Sequence, residues 1–138
     1  MSAYQHDNHF TLDEARALIP WLRETLTRII GLFTRMADKG FDPIAGQWSP
    51  RGNGHSEGPP PDEYDELLEL VAEVDGRGVL IKDFENGVVD FPHLLPDGEE
   101  VYLCWMMEEP TISFWHRIPD GFMGRVPLEE KDEDADSP

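Results

Sequence analysis

Asp83, Asp90, Glu109, His116 and Arg125, all in the second half of the chain, are of types that bind metal ions, move protons or pair with anions. Asp90 is followed by Phe91-Pro92-His93, Glu109 lies in the run Glu108-Glu109-Pro110, and Asp120, Gly121 and Arg125 follow His116. Asp90, Glu109 and His116 could hold a divalent metal ion through two carboxylates and an imidazole. With Asp83 as a further oxygen donor and Arg125 opposite an anionic group, the set could hold a small polar ligand at one end of a sheet. The same residues allow a hydrolytic enzyme. His116 would act as general base, Glu109 or Asp90 would orient it, and Arg125 would steady developing negative charge. Spacing adds no support: there is no HExxH, CxxC, EF-hand loop or phosphate-binding glycine motif. His6 and His9 are three apart but precede the first helix in a loose segment, and we do not read them as a metal site.

Register decides which of these side chains meet. If Asn86-Gly87 is a two-residue hairpin turn, Asp83 faces Asp90, and two like charges opposite each other need a cation or a raised pKa. A shifted register puts Asp83 opposite Val88 and removes the pair. Further on, a turn at 108–110 sets Tyr102 opposite His116, Cys104 opposite Phe114 and Met106 opposite Ile112. The plainer reading of His116 is then a structural histidine on an apolar face, with Tyr102 as its hydrogen-bond partner.

The elements that must position these residues are legible from their periods. Thr11 and Glu14 form a capping box, and Leu12, Ala15, Ile19, Leu22, Leu26, Ile29, Phe33 and Met36 make one apolar stripe, with Gly40 as its stop. Pro20 should kink this helix. Residues 40–62 carry five glycines and five prolines, which read as a mobile insertion without regular elements, with Trp48 as an anchor. A second helix begins with Asp62 as N-cap and ends at Gly76 or Gly78. From residue 78 the period becomes two, giving four strands in two hairpins. The expected fold is α+β: an antiparallel helical hairpin on a four-stranded antiparallel sheet, residues 1–128 forming one domain. Residues 129–138 read as an acidic, disordered tail. The first helix is roughly 40 Å long and the second about 20 Å. That mismatch leaves apolar stripe over, which a homodimer through the long helix would cover.

Charge narrows the partners. The net charge is −18, and no stretch clusters Lys and Arg. Nucleic acid and anionic membranes are therefore unexpected partners. No apolar run approaches a bilayer span, and the N-terminus has no signal-peptide pattern, so a soluble, cytoplasmic protein is expected. Cys104, the single cysteine, cannot form an internal disulfide and reads as a small buried hydrophobe. A non-catalytic protein partner, engaged through the helix stripe or the tail, is the third functional reading.

The runs FTLDEARALIPWL, KDFENGVVDFP, VYLCW and FWH, with the closing GF.GR.PL pattern, resemble the bacterial domain-of-unknown-function 2203 family over about 10–39 and 66–128. The resemblance implies a small, single-domain cytoplasmic protein and brings no established activity. It maps the family pattern onto Lys82, Asp83, Gly87, Asp90, Phe91, Pro92, Trp105, Glu109, His116, Gly121, Gly124 and Arg125. Where relatives often read CWRLGEP, this chain reads CWMMEEP, which lacks the basic residue and the turn glycine. The 40–62 stretch is a second departure.

Overall fold

Thr11 opens the helical half. Its hydroxyl accepts from the Glu14 N–H at 3.0 Å, and the Glu14 carboxylate accepts from the Thr11 N–H at 2.8 Å. A computed structural model, which describes residues 4–49 and 58–128, places α1 at Leu12–Ala17 and α2 at Ile19–Lys39. Pro20 therefore starts a new helix instead of kinking a continuous one. In the first turn its missing N–H costs no intrahelical bond. Leu18, between the two, keeps right-handed helical angles (φ −83°, ψ −11°), so the apolar stripe does not lose phase. Gly40 (φ 90°) ends α2. The third helix, α3, spans Asp62–Gly76, with Pro61 in place of Asp62 at the N-cap. Among the described residues three α-helices replace the expected two.

Part of the Gly/Pro-rich stretch is regular, contrary to expectation. Phe41–Asp42 (β1) pairs with Gln47–Trp48 (β2). Trp48 packs edge-on against Phe41 at 5.2 Å, and its indole N–H donates to Pro59 O at 3.3 Å. Residues 50–57 of the stretch and the 129–138 tail lie outside the described residues.

The main sheet has five strands in the order of the chain, all antiparallel: β3 (Leu80–Asp83), β4 (Val88–Leu94), β5 (Glu100–Met106), β6 (Phe114–Arg117) and β7 (Val126–Pro127). The expected four-stranded sheet gains β7 because the tail after Arg125 returns alongside β6, pairing Val126 with Trp115. A proline is tolerated there because β7 is an edge.

Registers settle the expected pairs. Between Ile81 and Asp83 the ladder bulges, so Asp83 faces Val88 and Leu80 faces Asp90. The Asp83–Asp90 pair does not form. In the next hairpin Tyr102 faces His116 and Cys104 faces Phe114 as expected, but pairing stops before Met106 and Ile112. Ile112 is instead tied to the helices, its carbonyl accepting from Arg16 at 2.8 Å.

Side chains alternate across each strand. Val89, Phe91, Leu103 and Trp105 point to the helices and join Leu22, Leu26, Ile29 and Met36 in one core. Ile19, Leu22, Leu26, Ile29 and Met36 of the α2 stripe are buried within a single chain, and Phe33 is half-buried, stacked on Phe84 at 5.6 Å. The alternate residues, Asp90, Tyr102, Cys104 and His116, share the outer face and are buried as well. Among the described residues no helix is long and apolar enough to cross a membrane.

Candidate metal centre

β4, β5 and β6 bring three ligand-type side chains together on the outer face. Asp90 on β4 is directly opposite Cys104 on β5. His116 on β6 faces Tyr102, two residues before Cys104 on the same side. One carboxylate oxygen of Asp90, the Cys104 Sγ and one His116 ring nitrogen all lie within 4.8 Å of one another. Asp90 and His116 are each 2% exposed and Cys104 is fully buried.

Hydrogen bonds define the ring of His116. Nδ1 is 2.8 Å from the Arg117 carbonyl, which can only accept, so Nδ1 carries a hydrogen. Nε2 is 3.0 Å from Asp90 Oδ2. One proton sits between these two atoms, as imidazolium with carboxylate or imidazole with carboxylic acid. Burial pushes the Asp90 carboxyl above the usual range, and His116, Cys104 and Lys82 pull it partly back. The other oxygen, Oδ1, is buried without a hydrogen-bond partner of acceptable geometry among the described residues. Cys104 is only a weak donor to the carboxylate. Its own thiol is pushed up to about 12, first by burial and then by the Asp90 charge. At neutral pH it is an inert thiol unless a cation displaces its proton.

The remaining sequence candidates lie in turns and clamps. Asp83 accepts from the Glu85 and Asn86 backbone N–H groups and from the Asn86 amide at 2.8–3.1 Å, closing the β3–β4 turn. Asn86 and the two N–H groups hold its carboxyl below the usual range. Glu109 accepts from the Met106 N–H at 2.8 Å and from Arg125 Nη2 at 2.7 and 2.6 Å. The Arg125 guanidinium also covers the Phe114 ring at 4.0 Å. Glu109 and Arg125 thus lock the loop after β5 to the tail, and Glu109 is absent from the ligand cluster. Tyr102 packs edge-on against His116 at 5.5 Å, but its hydroxyl meets His6 Nε2 at 2.7 Å, so Asp90 replaces it as the histidine's partner.

Cys104 is the member that sequence reasoning passed over. The signal was present in the Pro96-Asp97-Gly98 turn. Counting outward from it pairs Leu94 with Glu100, and therefore Asp90 with Cys104. The registers within the two hairpins do not show this pair, which lies between them.

A family model described as an uncharacterized conserved protein, DUF2203, matches residues 8–128, which includes every strand of the site. The chain belongs to the DUF2203 family. No curated protein and no solved structure matches it. The geometry of this DUF2203 domain is therefore the ground for reading its chemistry.

Proposed function

We propose that this domain binds a transition-metal ion of the zinc class through Asp90, Cys104 and His116. The observation that carries the reading is the convergence of three different ligand types on one buried point, where Asp90 Oδ1 has no hydrogen-bond partner stronger than the Cys104 thiol among the described residues. Thiolate, imidazole and carboxylate together favour zinc-like ions over magnesium or calcium, which prefer oxygen. A histidine ligand needs its second nitrogen held by an outer partner, and the Arg117 carbonyl fills that role at Nδ1. Binding would expel the thiol proton and the proton shared between His116 and Asp90, so affinity should rise with pH.

A hydrolytic centre at His116 draws less support. Both ring nitrogens are already bonded within the protein, and the ring is buried. Glu109, offered as its orienting partner, is bonded to Arg125 instead.

Protein purified without chelator should carry about one zinc-class ion per chain by native mass spectrometry and elemental analysis. Cobalt(II) should give a thiolate charge-transfer band that Cys104→Ser abolishes. His116→Ala should lose the metal, whereas Glu109→Gln should keep it. Metal-free protein in every buffer, together with cobalt that gives no thiolate band, would refute the reading.

A further inference from the structure

We propose that residues 4–10 form a releasable latch over the outer face and that Glu100 is its catch, controlling access to Asp90, Cys104 and His116. The inference concerns regulation of the metal centre and rests on that reading for its purpose, though not for its test. The N-terminal segment runs over one end of β4 and β5; polar bonds hold residues 4–9, and Phe10, edge-on against Phe91 at 5.4 Å, anchors the segment where it meets the helices. Tyr4 Oη donates to Gly98 O at 2.9 Å. The Glu100 carboxylate accepts from the Gln5 N–H at 2.7 Å and the His6 N–H at 3.0 Å, and it meets His9 Nε2 at 2.8 Å. Burial alone would raise the Glu100 pKa, but these bonds overcome it and hold the carboxyl below its usual range. The Phe10 N–H donates to Pro92 O at 2.7 Å.

Between catch and centre stands Tyr102. It is 4% exposed, lies between Glu100 and Cys104 on the same face of β5, and packs on the His116 ring. His6 holds its hydroxyl at 2.7 Å and Lys82 Nζ sits 4.9 Å from its ring centre. Tyr4, Gln5, Asp7 and Asn8 are exposed, so little apolar burial opposes release of the segment up to its Phe10 anchor. Segments held this way open well below the free energy of global unfolding. Loss of the catch should therefore loosen Tyr102 and expose the centre while the rest of the sheet stays folded.

Cys104 is the single cysteine, so its modification by a small neutral methanethiosulfonate reads access on the full-length, metal-free chain. Glu100→Gln should raise the modification rate at least about tenfold, as expected for a local opening made easier by about 1.4 kcal/mol. Gln5→Pro removes one catch donor from the exposed strap without touching the sheet, and should act in the same direction. Both effects should persist at denaturant concentrations too low to unfold the protein. Unchanged rates in both variants, or rates that follow the globally unfolded fraction, would overturn the latch. Zinc added to the wild-type chain tests the other reading separately. A wild type that takes no zinc defeats the metal centre, and the modification rates still decide the latch.

Discussion

At the scale of single residues, the most informative contrast is between two acids with different environments. Asp90 has one oxygen bonded to His116 and the other, among the described residues, facing only the weak Cys104 donor. Glu109 has its carboxylate fully committed to Arg125 and the Met106 N–H. The first has unused ligand capacity and the second does not. Truncating Glu109 strands a partly buried guanidinium, so Glu109→Ala should cost about 2 kcal/mol in denaturant melts, in line with bonds to charged groups. Its metal content should not change. Asp83 differs again, with a pKa lowered by Asn86 and by two backbone donors. A lowered folded-state pKa adds stability that is complete above the unfolded value and fades as pH falls through the folded one. Wild type should therefore lose more stability than Asp83→Asn on acidification below the ordinary aspartate range, as read by melting midpoints.

At the scale of elements, turns and bulges decide which residues meet. Gly87 has φ 67°, and a Cβ there would lie 2.9 Å from the Met107 Cβ. Gly87→Ala should cost about 1–3 kcal/mol, combining left-handed strain with that collision, and a thermal melt would measure it. The capping box, the Gly40 stop and the second hairpin register were legible because each rests on local chemistry within a few residues. The bulge at Lys82 was open to two readings because a strong turn signal and a common irregularity point to different registers. Strand β7 was missed because two residues carry no period. The centre was half legible: Asp90 and His116 stood out by type, whereas Cys104 passed as a buried hydrophobe. Only the pairing between the two hairpins joins them.

For the whole molecule, the division of labour runs across the sheet. One face builds the core with the helices, and the other holds the buried Asp90 and His116. A bound ion would then be a staple across β4, β5 and β6. At one hundred times its dissociation constant a zinc-class ion should stabilise the fold by about 2.7 kcal/mol, by mass action alone. Adding a strong chelator should lower the melting midpoint of metal-loaded wild type and leave Cys104→Ser unmoved.

Pro92 sits in β4 two residues beyond Asp90, the last that β3 covers, with its carbonyl taken by the Phe10 N–H. A foreign strand arriving at Pro92 would find no donor there and an acceptor already taken. With the segment docked, one imino acid and one borrowed amide therefore disfavour intermolecular strand addition at this point of β4.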